Sequence, residues 1–119
     1  MGTQPEDGDS SRTFTDFEDF WPFYLGEHAL RANRTVHVVG TTLALGLLMG
    51  LLVTTQWTLL GFVPVIGYGF AWFGHFVIEK NRPATFGNPI YSLRGDFRMC
   101  GLAWTGKLQK EVERLGVGS

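Results

Sequence analysis

The sequence predicts an all-α, helical membrane protein: one transmembrane helical hairpin flanked by amphipathic interfacial helices. Three observations carry that prediction. No Asp, Glu, Lys or Arg occurs from Thr35 through Ile78, while the segments before and after hold every charge of the 119-residue chain. The polar Thr54, Thr55 and Gln56 interrupt this charge-free stretch, leaving two runs each long enough to cross a bilayer. Arg31 and Arg34 precede the first run, Lys80, Arg82, Arg94 and Arg98 follow the second, and the connecting turn is uncharged. By the positive-inside rule this is an integral membrane protein with both termini cytoplasmic.

Residues 1–12 read as a disordered tail, because MGTQPEDGDSS is acidic and polar where a signal peptide is basic and then apolar. Residues 13–119 read as a single membrane domain. Its first element is an interfacial helix over 13–31. Thr15 and Glu18 make a capping box, Asp16, Glu18 and Asp19 suit a helix N-terminus, and Phe17, Trp21, Tyr24 and His28 share a face suited to a membrane surface. The first span covers 35–53. Val36–Val53, VHVVGTTLALGLLMGLLV, extends roughly 27 Å at 1.5 Å per residue, and its Gly46 and Gly50 form a G-x-x-x-G suited to close contact between the arms.

The second span covers 57–79. Trp57 stands where an interfacial aromatic belongs, Pro64 predicts a bend, and Gly67, Gly69, Ala71 and Gly74 thin the arm. The run 82–95, with two prolines and two glycines, reads as a loop over the cytoplasmic mouth. An amphipathic helix over 96–115 closes the chain, capped by Asp96 and stopped at Gly116, with Phe97, Trp104, Leu108, Val112 and Leu115 on one side.

Composition excludes other classes. The charged fraction of 18% is below the roughly 25% of soluble proteins. A formal net charge of −1 and pI near 6.3 give no basic footprint, so nucleic acid is not a partner. The single cysteine, Cys100, forms no internal disulfide and matches no zinc spacing, and reads as a small core or interface residue. A soluble oligomer burying both runs is the competing architecture, but near-continuous apolar character on all helix faces is unusual outside lipid. A homo-oligomer is compatible with either.

The three histidines fall at one end of the predicted hairpin. His37 lies in the first turn of the first arm and His75 near the last turn of the second, and antiparallel arms bring them to one depth. On one unbroken helix His28, nine residues before His37, faces the opposite way, after about 900° of rotation. A break near Ala32 and Asn33, Asn33 being a good cap, lets all three converge. Glu79, one turn beyond His75, adds a carboxylate. The cluster is either a metal site or a set of interfacial anchors with Glu79 paired to Arg34 or Arg82. Ionisable groups at membrane depth mark functional sites by default.

YLGEHALRANRTVHVVG, Tyr24–Gly40, and GYGFAWFGHFVIEKNRPATFGNPIYSLRGDFRM, Gly67–Met99, carry a Tyr-x3-His, an Asn-Arg-x2-His and a Gly-His-x3-Glu-x3-Pro-Ala. In combination these motifs are specific. The chain resembles a family of small membrane proteins, formerly a domain of unknown function, that includes the yeast 2-hydroxy fatty acid dioxygenase of phytosphingosine breakdown. The resemblance covers most of the chain after the tail. It implies an Fe(II)-dependent α-oxidation that uses O2 to shorten a 2-hydroxy fatty acid by one carbon. His28, His37 and His75 match the motif histidines and are the implied iron ligands. Glu79 matches the motif glutamate, as a ligand or as a partner orienting one.

Histidines beside open coordination positions suit Fe(II) and O2. A 2-hydroxy acid chelates such a metal through carboxylate and hydroxyl, its chain lying in the apolar hairpin groove, with Arg34, Arg82 or Arg94 holding the carboxylate. Glu79, Arg34 and Arg82 are therefore the candidate catalytic residues. The yeast-type proteins are longer, with additional hydrophobic segments. The alternative is a non-catalytic, membrane-embedded lipid-binding or interaction protein.

Overall fold

The computed structural model describes residues 14–83 and 86–118, so the tail expected over 1–12 lies outside the described residues. Among the described residues five α-helices follow one another: α1 (Phe17–Gly26), α2 (Arg31–Val53), α3 (Phe62–Phe73), α4 (Pro89–Trp104) and α5 (Leu108–Leu115). A 3-10 turn, Trp57–Leu59, precedes α3, and a π-helical turn, Gly74–Glu79, continues it. The described residues contain no strand, in agreement with the all-α expectation.

The cap of α1 is Asp16 rather than Thr15. Its carboxylate accepts the Asp19 N–H at 2.8 Å, satisfying a first-turn donor that has no helical partner, and Asp19 in turn accepts the Thr15 N–H at 3.3 Å. The aromatic face that suits a membrane surface is buried by protein. Phe17, Phe20, Trp21, Tyr24 and Leu25 form the core with Met99 of α4 and Val112 of α5. The Trp21 indole donates to Glu111 at 2.7 Å, and the Arg98 guanidinium lies 4.7 Å over the Trp21 ring.

The break after α1 falls at Glu27–Leu30, earlier than Ala32 and Asn33. Asn33 is no cap: it lies inside α2, fully buried. Tertiary partners explain the shift. Arg34 donates to the carbonyls of His28 at 2.9 Å and Ala29 at 2.8 Å, Glu79 accepts the Leu30 N–H at 2.6 Å, and Asn81 donates to the Glu27 carbonyl at 3.1 Å. The backbone groups that a local cap would satisfy are met from elsewhere.

α2 and the segment Trp57–Glu79 are each 23 residues long and apolar enough to cross a membrane, with mean hydropathies of 2.1 and 1.4. Only 17% of each apolar window is buried inside the molecule, whereas the core helix of a soluble protein is mostly buried. Contacts between the two pair Gly40 with Phe70 and Ala44 with Gly67, so α3 lies beside α2 with opposite chain sense. The expected G-x-x-x-G takes no part: a Cβ at Gly46 or Gly50 meets nothing within 4 Å.

The C-terminal expectation needs two corrections. The 82–95 run is not loop throughout, since α4 begins at Pro89, whose fixed φ suits a first helical turn; Asp96 is mid-helix and caps nothing. The helix expected over 96–115 is split at Thr105–Lys107. Gly106 adopts φ +75, its N–H bonds to the Ala103 carbonyl at 3.1 Å, and the Lys107 N–H closes on the Leu102 carbonyl at 2.8 Å. That is a Schellman ending, which a left-handed glycine makes available. Cys100 is buried, as expected of a core residue.

Candidate metal centre

His28 enters from the turn between α1 and α2, His37 from the second turn of α2, and His75 from the π-helical turn. One nitrogen from each lies within 4.8 Å of the others, and all three residues are buried. Ring centroids stand 4.5 Å apart for His28 with His37 and with His75, and 5.6 Å apart for His37 with His75. Close approach of α2 to the π turn makes this convergence possible. A Cβ on Gly74 falls 1.9 Å from Asn33 Oδ1, so only glycine lets His75 sit this near α2.

Each imidazole is oriented by a hydrogen bond at one ring nitrogen. His28 Nδ1 donates to the Tyr24 carbonyl at 2.8 Å, an acceptor only, which leaves Nε2 as the lone-pair nitrogen. His37 Nε2 donates to Asp96 Oδ1 at 2.8 Å, leaving Nδ1. His75 Nδ1 meets Asn81 Oδ1 at 2.8 Å, and because the Asn81 amide nitrogen is committed to Glu27, that oxygen accepts and His75 Nε2 is left. Both His28 Nε2 and His37 Nδ1 are buried without a hydrogen-bond partner among the described residues. A buried imidazole lone pair with no donor is costly, and a metal ion among the three rings would satisfy both nitrogens. Donation of the second ring N–H to a carbonyl or carboxylate is the usual support of ligating histidines.

Burial keeps the groups of the site neutral. Burial holds His28 well below the ordinary imidazole range, so its ring is neutral. Burial first, and then the adjacent Asp96 carboxylate, hold the Tyr24 phenol well above its ordinary range, so Tyr24 remains a donor and hydrogen-bonds to Asp96. The cavity lined by the histidines, Tyr24, Tyr68, Trp72, Ser92 and Asp96 holds about 20 Å³ of free space, enough for one water-sized occupant. Three imidazoles without a thiolate among them fit a borderline metal such as Fe(II).

The carboxylate and guanidinium groups singled out in the sequence lie elsewhere. Glu79 is outside the converging group, at the start of α2. Arg34 holds the turn that presents His28. Arg82 is exposed, its guanidinium 5.3 Å over Phe86, and Arg94 lies 4.3 Å over Phe17. The orienting groups Asp96 and Asn81 escaped the sequence analysis. One signal pointed to Asp96: it is the only carboxylate between Glu79 and Glu111.

Comparison with known proteins adds one finding. The family model for Mpo1-like proteins, described as 2-hydroxy-palmitic acid dioxygenase Mpo1-like, matches residues 14–108. No curated protein and no solved structure matches the chain.

Proposed function

Because the chain belongs to the Mpo1-like family, we propose that it is a membrane-embedded, Fe(II)-dependent dioxygenase that shortens 2-hydroxy fatty acids by one carbon. The observation that carries this reading is the triad of buried histidines, with a nitrogen of each within 4.8 Å of the others and each ring held by a hydrogen bond at one nitrogen. The overall change, R–CH(OH)–COOH + O2 → R–COOH + CO2 + H2O, passes four electrons from the acid to O2. Fe(II) supplies the one-electron chemistry that O2 needs to react with a closed-shell acid.

His28, His37 and His75 are the residues that would hold the ion. The Tyr24 carbonyl, Asp96 and Asn81 fix the ring planes, and Asp96, fed by the Tyr24 hydroxyl, keeps His37 in the tautomer that offers Nδ1. Ser92 lines the same cavity. Its hydroxyl is buried without a hydrogen-bond partner among the described residues and serves as a donor to the acid end of the substrate. Glu79 and Arg34 act at one remove, by holding the turn that carries His28. Arg82, exposed at this end, draws anionic acids toward the mouth. Trp72, Ala71 and Pro83 exclude bulk water.

In this reading α2 and Trp57–Glu79 form a transmembrane hairpin with both termini cytoplasmic, the histidines at the cytoplasmic boundary and basic residues flanking the hairpin. A cysteine replacing Thr55 should then react with an impermeant reagent from outside, and one replacing Ser119 should not; the reverse pattern inverts the orientation.

The test of activity is anaerobic Fe(II) loading of the detergent-purified chain, then O2 and 2-hydroxy fatty acid. A fatty acid one carbon shorter, in step with O2 uptake, is the expected product. Folded protein that binds the acid and takes up no iron would instead favour a non-catalytic lipid-binding protein.

A further inference from the structure

The histidine cavity is far too small for an acyl chain, but a larger one adjoins it. An apolar cavity of about 300 Å³ runs between α2, α3 and α4, and it shares Tyr68 and Asp96 with the histidine cavity. Its α2 wall is a single stripe. Thr41, Ala44, Leu45 and Leu48 recur at i, i+3, i+4 and i+7, and His37, one turn before Thr41, begins the same face. Opposite stand Val63, Pro64 and Gly67 of α3, with Leu93 and Phe97 of α4.

Small residues keep this space open at mid-length. A Cβ on Gly67 meets nothing nearer than the Ala44 methyl at 3.7 Å, so any longer side chain there projects into the groove. Asp96, at the histidine end, is the sole charged residue of the lining. From His37 to Leu48 the helix rises about 16 Å, the extended length of roughly a dozen chain carbons.

We propose that this groove seats the alkyl chain of a 2-hydroxy acid whose acid end lies at the histidines, and that it measures the chain. Leu48 and Val63 bound its far end, and Gly67 keeps its middle passable. The inference rests on the function proposed above for the identity of the acid end. The occupant follows from the lining: the groove adjoins the histidine cavity at Tyr68 and Asp96, is polar at that end and apolar beyond.

The probe is a saturated 2-hydroxy fatty acid of about fourteen carbons, a length set by the helix rise, with a diazirine near its methyl end. It is photolysed on the intact protein in detergent micelles and the labelled peptides are mapped by mass spectrometry. Labelling concentrated on the peptides bearing Leu48 and Val63 is expected. Gly67→Leu should lower that labelling about tenfold, by overpacking the groove, while Gly46→Leu, facing open space, should not change it. If Gly67→Leu fails to fold, Leu48→Trp gives the same test at the far end, displacing the label toward Leu45 and Ala44.

Labelling spread evenly over outward residues such as Val39, Met49 and Val65 would overturn the proposal. So would a Gly67→Leu protein that changes its oligomeric state and not its labelling, since the groove then seats a second copy. The readout needs no turnover. A groove that labels as expected in a protein without activity removes the dioxygenase and keeps the chain seat, whereas turnover with unselective labelling does the opposite.

Discussion

Phe20 and Phe62 are the same side chain in opposite surroundings. Phe20 belongs to α1, a helix that also carries Glu18 and Asp19, and is 0% exposed; Phe62 opens the uncharged α3 and is 57% exposed. The contrast holds for whole regions. The charged helices α1, α4 and α5 enclose the aromatic core, while the two most apolar segments turn most of their surface outward. Apolar composition therefore does not locate the packed core of this protein. Water drives burial only where water is the alternative. In the membrane reading proposed above that drive is absent between the apolar helices, and contact depends on small residues and close fit, of the kind seen at Gly40 with Phe70 and Gly67 with Ala44.

The largest effect expected from this difference concerns the histidines, which gather where the two regions meet. His28→Ala, His37→Ala or His75→Ala should each abolish stoichiometric iron and all turnover. Glu79→Ala, which removes only a support of the His28 turn, should retain iron with affinity reduced about 10- to 100-fold. Equal and complete loss of iron in Glu79→Ala and His75→Ala would put Glu79 among the ligands. Iron per chain after chelator-free purification reads the outcome.

Next comes the phenylalanine pair. Phe20→Ala should destabilise the folded state by about 3–5 kcal/mol, as deletion of a buried aromatic ring does, whereas Phe62→Ala should stay within about 0.5 kcal/mol. Thermal or denaturant midpoints in one detergent compare them; similar losses would mean that α3 has a protein partner on its outer face. A finer version uses glycines. Gly74→Ala drives a methyl into the buried Asn33 amide and should cost about 1–3 kcal/mol. Gly46→Ala meets nothing and should leave the midpoint unchanged or raised, since alanine is the better helix former.

The smallest effect is a pH dependence at the edge of the core. Hydrogen bonds from Arg114 and then Trp21 bring Glu111 down to about 2. A carboxylate depressed on folding stabilises fully above its unfolded pKa and loses that contribution as pH falls toward the folded value. Stability of the natural protein should therefore decline between about pH 4.5 and pH 2 more steeply than that of Glu111→Gln. Parallel curves for the two would show that the charge of Glu111, held by Arg114 and Trp21, contributes nothing to folding.

Much of the site was legible because it rests on position along the chain. His37 and His75 stand at the two ends of the charge-free region, and antiparallel segments of equal length bring such ends together. For the Glu79 carboxylate, one-turn spacing from His75 fixed a face and left the partner open; the Leu30 N–H at the start of α2 takes it. The helix at 89–104 was obscured by glycines and prolines that read as loop, although Pro89 only opens it.

By itself the sequence determined that the chain is helical, that two long apolar segments follow one another, and that three histidines gather at one end. Period, length and the absence of charge are local properties, and they act through contacts within a turn or two. Only the tertiary structure decided which nitrogen each histidine offers, where the α1–α2 break falls, and which glycines pack. His37 reaches Asp96 across 59 positions, Leu30 reaches Glu79 across 49, and Asn81 reaches the Glu27 carbonyl across 54. No helical periodicity registers partners so distant, because they meet only after α2 and α3 have packed and the π turn has set Gly74 against Asn33.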